Sequence, residues 1–343
     1  MSRKVAVVTG TNSNLGLNIS YRLLEAVTDP ITLVVTSRTL PRVKEVIDTI
    51  KEFNSKLPSP RDLEFDYLLV DFTDIVSIIS AAYDLNNSYD QINYLFINAA
   101  QGVYDGIDWI GATKQVLTNP VQSATFPTYK IQRVGVQSKD GLGLVFQANV
   151  FGPYYFIHRI SRLLENANGA RIVWISSIMS DSKYLSLEDM QLLKSDVSYE
   201  GSKRLVDLLH SATYKQLLKQ GNIIQYVCHP GIFTSLSFMK YLNVFTYYGM
   251  LLLFYVVRFL GSPWHNITGY TAANAPLFCI KSDIQSDPQN LKYGSACSKK
   301  GVEYVKAQEI DDIGASDVLQ YFEALRDGTD EKFKDQILET RTR

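Results

Sequence analysis

The chain opens with a short, continuous apolar run from Lys4 to Thr9 (KVAVVT), followed by a polar turn containing Gly10. Apolar positions then recur at helical spacing from Leu15 to Val27. An unbroken apolar run of this length predicts a strand covered on both faces, because a strand with one wet face alternates instead. The rhythm continues. Ile31 to Ser37 (ITLVVTS) predicts a second buried strand, and Pro41, suited to a first helical turn, opens a helix through Lys51. A strand at Phe65 to Val70, a helix at Asp74 to Leu85 and a strand at Tyr94 to Ala99 (YLFINA) follow. Residues 101–142, rich in Gly, Thr, Gln and Pro, interrupt the pattern. It resumes with a helix at Leu144 to Leu164, a strand at Arg171 to Ser176, a helix from Tyr199 to about Gln220, and a strand at Ile223 to Cys228. Strands alternating with helices predict βαβ units: an α/β fold with a doubly wound, Rossmann-type parallel sheet covered by helices on both faces.

On this pattern the sheet is complete by residue 230, and residues 1–343 form a single domain with insertions. Its core is about 4–235, a hydrophobic lid or membrane-contacting segment is about 236–262, and a C-terminal extension is about 263–343. That extension contains a helix near Tyr270 to Ile280 and a charged C-terminal helix. The hydrophobic segment holds seventeen uncharged residues, Tyr241 to Val257 (YLNVFTYYGMLLLFYVV). A spanning helix wants about 20 apolar residues, and Asn243, Thr246 and Gly249 dilute this tract. Contact with a membrane interface, burial as a helix, and a span all stay open at this point.

Composition narrows the function classes. Lys+Arg 34 against Asp+Glu 35 gives a net charge of −1 with no basic run, which argues against nucleic acid as a partner. Three cysteines (Cys228, Cys279, Cys297) and four scattered histidines share no ligand spacing, so neither a disulfide framework nor a metal site is expected. The apolar run after Met1-Ser2-Arg3-Lys4 is too short for a signal-peptide core.

Candidate chemistry starts at Tyr199-Glu200-Gly201-Ser202-Lys203. Residues four apart share a helix face, so the phenol and the ammonium can meet at one ligand. A nearby cation favours the phenolate and eases proton donation to a carbonyl oxygen. The turn Thr9-Gly10-Thr11-Asn12-Ser13-Asn14-Leu15-Gly16 joins a strand to a helix, where backbone can approach a pyrophosphate at a helix N-terminus. Arg38 follows the second strand, in Thr36-Ser37-Arg38. An acidic residue there would suggest NAD; a guanidinium suits the 2′-phosphate of NADP(H). Asp71 ends the third strand, where it can cap the following helix, with Asp74 a competing cap. His229 reads as structural.

Gly10 and Gly16, Asn98-Ala99-Ala100, Asn149, Ser177, the Tyr199/Lys203 pair and Pro230-Gly231 occur in the order found in the short-chain dehydrogenases/reductases, which the chain resembles over about residues 4–235. Two positions depart from the family pattern. Asn14 replaces the middle glycine of the turn, with a left-handed conformation still open to it. Ala100 crowds the turn after Asn98. The resemblance implies catalytic roles for Tyr199, Lys203, Ser177 and Asn149. Ser177 would hold the substrate carbonyl, with Ser176 and Ser180 as competing assignments, and Asn149 would support a water relaying protons to Lys203. It implies cofactor contacts at Gly10, Asn14, Leu15, Gly16, Arg38, Asp71, Asn98, Tyr199, Lys203, Pro230, Gly231 and Thr234. The inserted residues 178–197 are expected to reshape the pocket wall.

The stretches TGTNSNLGLNI, VVTSRTLPRV, ANVFGPYYF, IVWISSIMSD, SYEGSKRLVDLLH and GSPWHNI are more narrowly similar to the fungal branch of the family that reduces sterol ketones. That resemblance implies NADPH as cofactor and a sterol C-3 ketone as substrate. It also implies peripheral association with the endoplasmic-reticulum membrane or lipid droplets, and contact with the C-4 demethylation enzymes and the oxidosqualene cyclase. Two alternatives remain open on the sequence: reduction of another lipophilic ketone, and a cofactor-binding scaffold for membrane sterol enzymes.

Overall fold

The structure, a computed structural model, describes residues 3–234 and 242–336. Part of the expected hydrophobic segment, residues 236–241, lies outside the described residues. The first half follows the predicted alternation: β1 (Lys4–Val8), α1 (Asn14–Ala26), β2 (Ile31–Ser37), α2 (Leu40–Ser55), β3 (Leu63–Leu69), α3 (Ile75–Ser88) and β4 (Tyr94–Ile97). Residues 101–142 are not a plain loop. They hold a two-stranded ribbon, β5 (Tyr104–Ile107) with β6 (Lys130–Gln132), around α4 (Trp109–Thr118) and α5 (Pro120–Thr125). Asp108 and Asn119 cap those helices by accepting from Gly111 N and Gln122 N.

The expected helix Leu144 to Leu164 is broken into α6 (Leu144–Phe146), a π-helical turn over Gln147–Phe151, α7 (Gly152–Arg159) and α8 (Ser161–Asn166). Single π turns cluster at functional sites, and this one carries Asn149. Then come β7 (Arg171–Ile175), two 3-10 turns, α9 (Ser198–Gly221), β8 (Ile224–His229), β9 (Ile232–Phe233), α10 (Val244–Phe259), β10 (His265–Ile267), α11 (Gly269–Ala272) and α12 (Asn274–Lys281). The chain continues with β11 (Leu291–Cys297), β12 (Glu303–Glu309) and α13 (Ala315–Phe333).

The main sheet has eight strands in the order β12-β11-β8-β7-β4-β1-β2-β3, all parallel except the β11–β12 pair. The expectation that the sheet ends by residue 230 is therefore corrected: β11 and β12 complete it. Two apolar layers sandwich it. Ile78, Phe151, Phe156, Leu205 and Phe322 pack on one face; Ile19, Leu23, Val43, Ile50 and Cys279 pack on the other. Strand order reverses between β1 and β4, and the carboxyl ends beside such a reversal form the crevice where α/β sheets bind ligands.

Candidate active site

Two adjoining sites occupy the carboxyl edge of the sheet. The first is a groove of about 240 Å³ lined by Gly10, Asn12, Ser13, Thr36, Ser37, Arg38, Asp71, Thr73 and Asn98 to Gln101, among others. Its floor is set by close backbone approach. Gly10 has φ +64, and a Cβ on Gly16 would lie 2.3 Å from the Gly10 carbonyl oxygen. Asn98 locks this turn, donating from Nδ2 to Thr9 O (2.8 Å), Gly10 O (3.2 Å) and Ser13 Oγ (3.1 Å). The left-handed residue is thus Gly10. Asn14 is the first residue of α1, and its Nδ2 donates to Thr234 O at 2.7 Å, so no left-handed asparagine is needed. Leu15 is buried beneath the turn.

Asp71 accepts from Thr73 N (2.9 Å) and Thr73 Oγ1 (2.7 Å) at the groove wall, whereas Asp74 caps α3 through Val76 N. Arg38 is exposed at the groove and has no hydrogen-bond or ion-pair partner among the described residues. These residues fit a dinucleotide: a glycine cradle at a helix N-terminus, a carboxylate, and an unengaged guanidinium at one end.

The second site is a cavity of about 520 Å³, within the roughly 300–1,000 Å³ of small-molecule pockets. Ser177, Tyr199 and Gly231 (φ +66) line it where it meets the sheet edge. One wall is α4 and α5 (Trp109, Ala112, Val116, Ala124), and the other is α10 (Gly249, Met250, Leu253, Phe254). The insertion and the hydrophobic excursion are therefore the two walls of one pocket. Of residues 178–197, only Ile178 and Met179 reach it, so that insertion does not reshape most of the wall. It turns away instead, where Gln191 Nε2 donates to Tyr321 OH on α13 at 2.7 Å. Thr234 Oγ1 and N both donate to Ile267 O, and Asn266 Nδ2 donates to Pro230 O at 2.6 Å, fastening the segment after β8.

The three serines after β7 divide their roles. Ser176 Oγ and Ser180 Oγ each donate to the buried Asp207 at 2.6 Å, while Ser177 lines the cavity and its Oγ accepts from Met179 N at 3.0 Å. Lys203 is buried, donates from Nζ to Ile175 O at 2.8 Å, and lies 5.6 Å from the Tyr199 ring centre. Burial lowers its pKa to about 8, opposed by Asp207 and Cys228. The Tyr199 phenol is pushed up to about 12, by burial first and then by Glu200. At Tyr199 burial and Glu200 thus push the phenol in the direction opposite to the depression expected from Lys203. Asn149 accepts from Gln101 N (2.8 Å) and donates to Gln101 O and Ser202 Oγ (both 2.9 Å), tying the π turn to α9. His229 is buried, with Nε2 bonded to Gln308 Oε1 at 2.6 Å and its pKa lowered to about 3 by burial, consistent with a structural role.

Several residues of the site carried no sequence signal that singled them out. Gln132 Oε1 accepts from Tyr199 N (2.9 Å) and Ser198 Oγ (3.2 Å), and its Nε2 donates to the buried Glu200 (2.5 Å). Val197, at the N-cap position of α9, offers no side-chain bond, so Gln132 supplies the cap. Asn12, Ser13 and Thr73 line the groove, and Lys130 and Glu200 line the cavity.

The short chain dehydrogenase family matches this sequence over residues 4–242. The 3-keto-steroid reductase of Kluyveromyces lactis is 62% identical over 99% of this chain and 99% of its own length. The 3-keto-steroid reductase of Saccharomyces cerevisiae is 63% identical over 100% of this chain and 99% of its own. Among solved structures, a 7α-hydroxysteroid dehydrogenase complexed with NADH and 7-oxo glycochenodeoxycholic acid superposes with a TM-score of 0.58 at 16% identity, covering 88% of this chain and 96% of the other, a likeness of fold alone. The chain belongs to the short-chain dehydrogenase family and, within it, is similar from end to end to the yeast 3-keto-steroid reductases.

Proposed function

We propose that this chain catalyses NADPH-dependent reduction of the C-3 ketone of sterol intermediates, the ketone left after C-4 demethylation on the route to ergosterol. The observation that carries the reading is the opening of a mainly apolar cavity onto Ser177 and Tyr199 beside a dinucleotide groove, in a chain this similar to proteins named for 3-keto-steroid reduction. Ser177 and Tyr199 lie at the sheet end of the cavity and the helical walls are mainly apolar (Trp109, Ala112, Val116, Met250, Leu253, Phe254), which suits an apolar ring system entering ketone first.

The bound cofactor supplies a hydride to the ketone carbon. Ser177 Oγ hydrogen-bonds the carbonyl oxygen, and Tyr199 donates its proton to that oxygen as charge develops there. Lys203, one helical turn on, stabilises the resulting phenolate by its charge. Asn149 holds the π turn against Gln101 and Ser202 and so shapes the proton path toward Lys203. Arg38, without a protein partner among the described residues, is free to pair with a 2′-phosphate, which favours NADPH over NADH.

We also assign the protein to a peripheral position on the endoplasmic-reticulum membrane or lipid droplet, beside the C-4 demethylation enzymes and the oxidosqualene cyclase. Among the described residues no helix is long and apolar enough to cross a membrane. α10 instead turns Met250, Leu253 and Phe254 to the cavity and exposes Val244, Phe245, Tyr248, Leu252 and Phe259 on its other side. α4 exposes Ile110 and Leu117 on the opposite wall. Apolar side chains on both sides of the cavity suit a helix lying in a lipid interface.

The direct test is NADPH oxidation by purified protein with zymosterone in detergent, with product analysis for the 3-hydroxyl. Turnover to the alcohol supports the reading. NADPH binding without zymosterone turnover, together with reduction of a different lipophilic ketone, would overturn the substrate assignment.

A further inference from the structure

The turn carrying Ser177 is gripped by a buried lysine that the steps above do not use. Lys292, on β11, donates from Nζ to Asp207 Oδ2 (2.7 Å), Ser180 Oγ (2.6 Å) and the Ser177 carbonyl oxygen (3.2 Å), employing all three ammonium hydrogens. Asp207 lies one helical turn beyond Lys203 on α9. Its Oδ1 accepts from Ser176 Oγ and its Oδ2 from Ser180 Oγ, both at 2.6 Å. Ser176 Oγ also lies 3.3 Å from the Lys203 carbonyl oxygen. The side chains of Lys292 and Asp207 are only 9% and 3% exposed.

Taking two charges out of water is costly, and an apolar pair of similar volume would avoid that cost. The ion pair adds direction instead. Its hydrogen bonds run to the Ser176–Ser180 turn, and through Ser176 to the backbone of Lys203. Ser177 is thereby clamped by its neighbours on both sides and by its own carbonyl, while its hydroxyl stays at the cavity. β11 reaches this turn across β8, with Lys292 in register with Val227.

We propose that Lys292 and Asp207 form a positioning pair that fixes Ser177 against Tyr199 and Lys203 for the reaction, so that the late strand β11 is part of the catalytic apparatus. This rests on the reductase reading given above. Neither residue lines the groove or the cavity. Losing the pair frees the serine turn and also removes the Asp207 charge that helps hold the proton on Lys203, so kcat is compared well below pH 8, where Lys203 stays charged. A misplacement on the order of 1 Å can cost about a hundredfold in rate.

Lys292→Met alone strands a buried carboxylate and risks unfolding, so the test compares the double variant Lys292→Met/Asp207→Asn, which removes both charges, with Ser180→Ala, which cuts one link. Each is assayed for NADPH affinity, for kcat and KM with zymosterone, and for backbone hydrogen exchange across residues 176–180. The expected result is unchanged NADPH affinity and a kcat lowered at least about tenfold in the double variant, and less in Ser180→Ala. Exchange should quicken at 176–180 but not in α1. A double variant with wild-type kcat and wild-type exchange at the turn overturns the proposal, as does a parallel fall of kcat, NADPH affinity and exchange protection throughout the chain. If the wild-type protein leaves zymosterone unreduced, the substrate reading fails by itself, and exchange at 176–180 still decides whether the pair holds the turn.

Discussion

Lys203 Nζ lies 5.6 Å from the centre of the Tyr199 ring and donates its hydrogen bond to the Ile175 carbonyl oxygen, at 2.8 Å. The ammonium therefore acts on the phenol by charge and is anchored to the end of β7 next to Ser177. This separates the two residues' roles. Tyr199→Phe keeps the ring and removes only the hydroxyl with its proton, so turnover should fall by about 10²–10⁴-fold while NADPH binding, followed by fluorescence titration, persists. Full turnover in this variant would remove Tyr199 from the mechanism.

Ketone reduction should lose activity as pH rises through about 8, the value to which burial lowers Lys203. Below it the lysine carries the charge that stabilises the phenolate; above it that charge is gone. Tyr199, pushed up to about 12, keeps its proton throughout this range. A pH profile of kcat/KM should show one descending limb near 8, and Lys203→Arg should move it upward because a guanidinium stays charged. A limb that stays near 8 in Lys203→Arg would assign it to another group.

Arg38→Ala should weaken NADPH binding about tenfold to a hundredfold, the worth of a charge-assisted hydrogen bond, and leave NADH binding unchanged. Calorimetric titration with each nucleotide distinguishes these outcomes. Equal losses for both would mean that Arg38 does not read the 2′-phosphate.

The outer face of α10 can be altered without touching the cavity. Phe245 is 88% exposed and Leu252 66%. Phe245→Ser with Leu252→Ser should reduce co-sedimentation with phospholipid vesicles by at least about tenfold, since each side chain loses roughly 1.5–3 kcal/mol of burial. The rate in detergent should be kept. Unchanged vesicle binding would place the lipid contact elsewhere.

Gln132→Ala should destabilise the fold by about 1–3 kcal/mol, because it leaves the buried Glu200 carboxylate and the first amide of the Tyr199 turn without their partner. Urea unfolding measures this. A variant as stable as wild type would mean that water replaces the side chain without cost.

Of the strands up to β4, β1, β2 and β4 were legible because each is buried and written in a nearly continuous apolar run, and the edge strand β3, where Glu64 and Asp66 interrupt, was legible only from Phe65 on. β11 was not, because its interior is written in polar letters. Lys292 is satisfied by Asp207 and two oxygens of the serine turn, and Ser295 bonds Ala272 O and Ala275 N, so burial there depends on distant partners. The π turn at Asn149 escaped for another reason: hydrophobic periodicity cannot register one extra residue in a turn. The choice among Ser176, Ser177 and Ser180 needed coordinates, since Asp207 claims two of them. In residues 101–142 the caps Asp108 and Asn119-Pro120 were readable helix signals hidden among turn-forming residues.

The cap of α9, the helix that carries Tyr199 and Lys203, comes from a residue 67 positions upstream, on the ribbon whose other residues wall the cavity. Cavity wall and proposed proton donor are thus mechanically linked: a ligand that pries β6 outward should also loosen the first turn bearing Tyr199. A graft of this ribbon that omits Gln132 should therefore disturb Tyr199 as well as the cavity, and a ligand wedged under the ribbon should reach the proposed acid indirectly.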